Sequence, residues 1–280
     1  AGGGGASDLN GLSDCLVDTG SLYVGEVPAG LSGNPQGNLV VGVDAGNALT
    51  SGANNTLMGY QAGDVLTTGG SNVAVGTNAL GNSTASQLTA VGYGAGSSNT
   101  FALKNTYIGY LAGSSNATGF NNCYLGYGSG SQNQNGQRNT AVGTLSALGT
   151  FNNAATSNNT CLGYSAGSAL TTGGDGNTLV GDIAGNTLTT GSNNLILGAS
   201  SAPSAVTVDN EITLGNSSIS ALRCAVTSIT SLSDERDKSE IKDLEYGLAF
   251  IDALQPREFV WDNRAETIKE VDEDGNETEV

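Results

Sequence analysis

Apolar residues along this chain come in short clusters set between longer polar, glycine-rich stretches, and the clusters repeat. One phrase recurs: an Asn, three residues, a Gly, two residues, a small residue and usually another Gly. It reads NLVVGVDAG from Asn38, NTLMGYQAG from Asn55, NVAVGTNAL from Asn72, NTYIGYLAG from Asn105, NCYLGYGSG from Asn122 and NTCLGYSAG from Asn159. The central glycines are Gly42, Gly59, Gly76, Gly92, Gly109, Gly126, Gly143, Gly163, Gly181, Gly198 and Gly215, at spacings of 17, 17, 16, 17, 17, 17, 20, 18, 17 and 17. A fixed period of this length is the signature of a solenoid, in which each repeat is one coil that buries its apolar surface against its neighbours.

Aligning the chain with itself assigns roles to columns. The residue before each glycine is always aliphatic: Val41, Met58, Val75, Val91, Ile108, Leu125, Val142, Leu162, Val180, Leu197 and Leu214. Two residues earlier stands Thr, Val, Leu, Ile or Cys, on the same side of a strand because side chains alternate with period two. The pattern predicts one short strand per unit, ending at a glycine turn, with the aliphatic column as the core stripe. Three residues after each glycine stands Ala in seven units and Ser in four, a site where only a small group fits. The recurring Asn is expected to bond turn backbone and to stack into a ladder from coil to coil. Ten steps of about 4.8 Å make a stack of roughly 50 Å. Between the strands run polar loops such as LTTGGSN from Leu66; the 20-residue spacing holds the longest, with Phe151 and NNAATSNN.

Composition supports a narrow core. Glycine supplies 43 of 280 residues, aromatics 5% and charged residues 12%, too few large apolar side chains for a wide globular interior, so the chain is expected to share a core with identical copies. Nine Lys and Arg against 26 Asp and Glu exclude a basic stripe for nucleic acid and disfavour an anionic membrane surface. No apolar run is long enough for a membrane-spanning helix. Histidine is absent and Cys15, Cys123, Cys161 and Cys224 are scattered, so no metal site or cofactor is expected and the cysteines are read as small semi-apolar residues. Between Asn38 and Ala202 the acids Asp44, Asp64, Asp175 and Asp182 form no close pair in sequence, which disfavours a polysaccharide-degrading site. Gly-rich stretches at Gly92 and Gly126 belong to the repeat, and DEDGNE from Asp272 reads as a charged hairpin turn rather than a calcium loop. Tyr60, Tyr93, Tyr110, Tyr127 and Tyr164 all follow a central glycine and form an outward column, either plain decoration of a rod or a face for glycan.

The charge changes character near Ser233: residues 1–232 carry 10 acidic and 3 basic side chains, residues 233–280 carry 16 and 6. The organisation expected is a glycine-rich connector over 1–37, a β-solenoid shaft over 38–219, a Ser/Thr-rich bridge over 220–232 and a small α+β module over 233–280. In that module Leu244, Leu248, Ile251 and Leu254 mark an amphipathic helix entered near Asp243 and ended before Pro256. REFVWD reads as a strand, and Ile268 to Val280 as a hairpin turning at Asp274 and Gly275. The first residue is Ala rather than Met and the last falls within the hairpin, so the sequence is expected to be a piece of something longer.

Two resemblances sharpen this picture. The phrases NVAVGTNAL and NTAVGTLSA resemble the head repeats of trimeric autotransporter adhesins over about residues 38–219, although the period here is longer. That resemblance implies a parallel β-roll built by three chains side by side. Residues Ser233, Asp234, Arg236, Lys238, Ile241, Leu254, Pro256, Phe259 and Trp261 resemble the endosialidase-type intramolecular chaperone found at the end of phage tail spikes and fibres. It implies assembly of a homotrimer followed by self-cleavage, with Ser233 as nucleophile and Lys238 as general base, a lysine whose pKa burial would have to lower. The alternative reading of SDERDK is a solvated charged turn. Three function classes follow: a trimeric phage tail fibre or spike shaft on a virion, partnered by other tail proteins and a bacterial surface glycan; a cellular or extracellular trimeric adhesin; and, least favoured, a polysaccharide-degrading spike.

Overall fold

A computed structural model describes residues 15–18, 20–25, 27–32, 35–149, 155–225, 269–271 and 277–279. The chain divides into two compact units, Ala1–Leu222 and Arg223–Val280. Among the described residues unit one carries thirteen strands in one sheet: β1 (Cys15–Asp18), β2 (Ser21–Gly25), β3 (Leu39–Gly42), β4 (Thr56–Met58), β5 (Val73–Val75), β6 (Thr89–Val91), β7 (Thr106–Ile108), β8 (Cys123–Leu125), β9 (Thr140–Val142), β10 (Thr160–Leu162), β11 (Thr178–Val180), β12 (Leu195–Leu197) and β13 (Ile212–Leu214). Their spatial order is their chain order. β1 and β2 pair antiparallel and every later pair is parallel and in register, Leu57 beside Ala74 and Tyr107 beside Tyr124. β1 and β2 lie in the stretch read as a connector and extend the sheet beyond the first phrase.

The coils are bonded round their circumference as well as along the strands. Gly46 N–H donates to Ala62 O at 2.9 Å, Thr50 to Thr67 O at 2.9 Å and Asn54 to Gln36 O at 2.9 Å. After most strands the chain makes two successive turns, as where Ala62 N–H bonds Gly59 O at 3.2 Å and Leu66 bonds Gly63 O at 3.0 Å. Two non-glycine residues in most coils take a left-handed conformation to close it, for example Gln61 (φ 55°) and Ser71 (φ 61°), or Leu111 (φ 53°) and Asn121 (φ 59°). Leu111 and Ile183 (φ 49°) are residue types that rarely adopt this conformation.

The expected core stripe is on the wrong face. The buried residue of each strand is the middle one: Val40, Leu57, Ala74, Ala90, Tyr107, Tyr124, Ala141, Cys161, Leu179 and Ile196, each fully buried. The uniform aliphatic column and its partner two residues earlier point outward, with Met58, Ile108 and Leu125 at 39%, 36% and 40% exposure. The middle column ranges from Ala to Tyr, and other residues of the coil balance that variation. Where it holds Ala74, Leu80 is buried as well; where it holds Tyr107 and Tyr124, the column seven residues after the glycine changes from Leu49 and Leu66 to Asn99, Asn116 and Asn133. Asn99 and Asn133 donate to the Tyr107 and Tyr124 hydroxyls, both at 3.1 Å, as buried phenols require. The two rings pack in tilted contact at 5.9 Å.

The small-residue column is interior as expected: Ala45, Ala62, Ala79, Ala95, Ala112, Ser129, Ser146, Ala166, Ala184 and Ser201 are fully buried. The Asn ladder forms. Asn55 Oδ1 accepts from Asn72 N at 3.0 Å, while Asn55 Nδ2 reaches Asn38 Oδ1 at 3.2 Å and Gly69 O at 3.0 Å. Leu88 takes the Asn place in one coil, its N–H capping Asn72 Oδ1 at 3.0 Å, and a second run extends from Asn105 to Asn194, where Glu211 N–H closes it at 2.9 Å.

In unit two, β14 (Lys269–Val271) and β15 (Glu277–Glu279) pair antiparallel, Lys269 opposite Glu279 and Val271 opposite Glu277, which is the hairpin read from the sequence. The helix expected between Asp243 and Pro256 and the REFVWD strand lie outside the described residues.

Candidate functional site

Two surfaces of the solenoid are unusual for a polar rod. The first is the outer face of the sheet. Because the middle residue of every strand points inward, its neighbours on both sides must point out. Val73, Met58, Ile108, Leu125, Ile212 and Leu214 stand 36%, 39%, 36%, 40%, 69% and 50% exposed. Threonines and half-buried aliphatics fill the intervening places, giving a continuous, uncharged strip along β3 to β13. A strip of this kind marks an interaction surface rather than a solvated one.

The second is the tyrosine column. Tyr60, Tyr93, Tyr110, Tyr127 and Tyr164 are 50%, 51%, 43%, 54% and 53% exposed, so the column does point outward. In three consecutive coils the rings stack: Tyr93 on Tyr110 at 5.2 Å and 12°, Tyr110 on Tyr127 at 5.1 Å and 6°. Thr77 and Thr144 occupy the same place in the flanking coils. The run therefore ends at Tyr93 and at Tyr127, each with one ring face not covered by another tyrosine.

Cys161 sits in the interior column, its thiol pushed up to about 12 by burial alone; Cys15 is buried, and Cys123 and Cys224 are exposed. Among the described residues no group of three His, Cys, Asp or Glu is placed to hold a metal, and no helix is long and apolar enough to cross a membrane. Ser233 and Lys238, named from the sequence as nucleophile and base, lie outside the described residues.

A coil-by-coil parallel sheet with an apolar outer strip defines a β-solenoid shaft, joined to a second, differently composed module. Residues 233–279 match the family described as chaperone of endosialidase, so the C-terminal module is similar to chaperone domains of that kind. No curated protein and no solved structure is detectably similar to the chain.

Proposed function

We propose that the chain forms the shaft of a homotrimeric fibre, most simply a bacteriophage tail fibre or spike that attaches the particle to a host surface, with a C-terminal chaperone that guides trimer assembly. The outer apolar strip carries this reading. A single coil has already filled its interior, so the strip has no use within one chain. Three copies placed strip to strip would remove it from water along the length of the shaft, and because the strips carry no charge the contact meets no repulsion. The chaperone match points the same way, since such a module serves chains that must meet before they are stable.

Sedimentation velocity tests the assembly: the mass should be three times that of one chain. The double variant Ile108→Asp/Leu125→Asp should sediment as single chains while keeping its β circular dichroism. A trimer of unchanged melting temperature in that variant would overturn the interface.

Within the chaperone, Ser233 and Lys238 are assigned as nucleophile and base of a single self-cleavage, with the peptide cut next to Ser233 once three chains have come together. Mass spectrometry of the assembled protein reads the outcome: a new terminus beside Ser233, abolished in Ser233→Ala and in Lys238→Ala. An intact wild-type trimer would make the module a permanent cap. The same architecture suits a cellular trimeric adhesin, and the presence of the chain on purified particles separates the two.

A further inference from the structure

The stacked tyrosines end beside a groove. Next to Tyr127 the surface opens into a groove of about 600 Å³, whose lining includes Leu145 and Leu148 together with Ser131, Gln132 and Gln134. Its opening follows from one residue. In the column two places after the central glycine, Leu111 and Leu145 flank Gly128, and a Cβ added at Gly128 would come within 2.9 Å of Leu145 Cδ2. A side chain at 128 would therefore have to displace Leu145 and would intrude on the groove.

We propose that this groove is a binding subsite for an uncharged saccharide, with a sugar ring laid against Tyr127. The chemistry of the lining selects the ligand. The inner rings of a stack have both faces occupied, but Tyr127, the terminal ring, keeps one face for a ligand, and the electron-rich face of an aromatic attracts the polarised C–H bonds on the flat side of a pyranose. Stacking on Tyr110 holds that ring in place before any ligand arrives, which lowers the entropy lost on binding. Leu145 and Leu148 extend the apolar floor, while the Ser131 hydroxyl and the Gln134 amide offer donors and acceptors to ring hydroxyls. No carboxylate, lysine or arginine lines the groove, so a charged sugar would find no counter-charge there. The wall mixes apolar surface with convergent polar groups, a combination that suits a small hydroxyl-rich ligand.

The groove is built from one chain, so the subsite does not depend on the trimer reading, and sedimentation reports separately whether assembly has changed. The test is binding of the full chain to arrayed neutral oligosaccharides of glucose, galactose, mannose and N-acetylhexosamines, with sialylated and sulfated glycans as charged counterparts. Neutral saccharides should bind and the charged set should not. Tyr127→Ala and Gly128→Leu should each weaken binding by about tenfold or more, the loss expected when one stacked contact or the cavity itself is removed. Tyr60→Ala, which removes an exposed tyrosine outside the stack, should leave binding unchanged. Leu is a fair filler at 128 because Leu111 and Leu145 already adopt left-handed φ values of 53° and 57° in that column. The proposal is overturned if no neutral saccharide binds the folded wild type, or if Tyr127→Ala and Gly128→Leu bind as the wild type does. It is also overturned if Tyr127→Ala dissolves the trimer, which would make the groove part of the interface between copies.

Discussion

Three glycine substitutions separate the two physical reasons why a stacked coil needs glycine. Gly59 combines both: its φ is +135°, and an added Cβ would stand 2.7 Å from the carbonyl carbon of Gly76 in the next coil. Gly173 has only the first, with φ +99° and nothing within 4 Å of an added Cβ. Gly70 has only the second, since its φ is outside the left-handed region but a Cβ would meet Ala53 O at 2.8 Å. Backbone strain of this sort costs roughly 1–3 kcal/mol, and forcing atoms into a packed place costs roughly 1–3 kcal/mol. Gly173→Ala and Gly70→Ala should therefore each destabilise by about 2 kcal/mol and Gly59→Ala by about 4 kcal/mol. At this chain length 1 kcal/mol moves the melting temperature by roughly 2–4 °C, so Gly59→Ala should lower it by about 12 °C. Differential scanning calorimetry on the three full-length variants, at one protein concentration, reads the order. A Gly59→Ala protein no less stable than the other two would refute the close approach of successive central glycines.

Asn116 is fully buried and neither of its side-chain atoms has a hydrogen-bond partner, whereas the same place in other coils holds Leu49, Leu66, Leu170 and Leu188; Asn116→Leu should raise stability by about 1 kcal/mol in thermal melts. Asn122→Leu should do the opposite, by about 3 kcal/mol, because Asn139 N–H (3.0 Å) and Gly136 O (2.8 Å) lose their partners inside the coil. Burial raises the Tyr107, Tyr124 and Cys161 pKa values above their ordinary 10.0, 10.0 and 9.0, so the folded state favours their neutral forms. The stability they contribute is complete well below pH 9, begins to fall as the unfolded thiol ionises around that pH, and is lost as the pH rises through 10 to 12 and beyond. Phenolate absorbance of Tyr107 and Tyr124, read as the difference from the Tyr107→Phe/Tyr124→Phe variant, should appear only together with loss of β circular dichroism. Its appearance in a still-folded protein would contradict their burial.

Much of the architecture could be read before any coordinates. The period, the glycine at each strand end, the interior Ala and Ser column, the Asn ladder and the outward tyrosines all follow from residue types repeating at fixed places, because a solenoid imposes the same environment on the same place in every coil. The tail hairpin was legible from Asp274 and Gly275 between its two polar strands. Three things were not. The stacking of Tyr93, Tyr110 and Tyr127, and the groove that Gly128 leaves at its end, arise from neighbours seventeen residues apart, although a lone glycine between two leucines in one column is a signal that was there to be used. The polar interior around Tyr107 and Tyr124 shows in the sequence only as a joint change, Leu to Asn in one column where Tyr enters another. The inward face is the opposite of the one that the uniform aliphatic column suggests. Alternation along a strand says that Val41 and Val40 point to opposite sides, and both sides here are apolar, so the pattern fixes the two faces without saying which is inside. That is decided by the direction in which the chain turns after each glycine: the coil closes around the middle residue of the strand, whatever its size, and leaves the uniform aliphatic column on the outside, free for a partner.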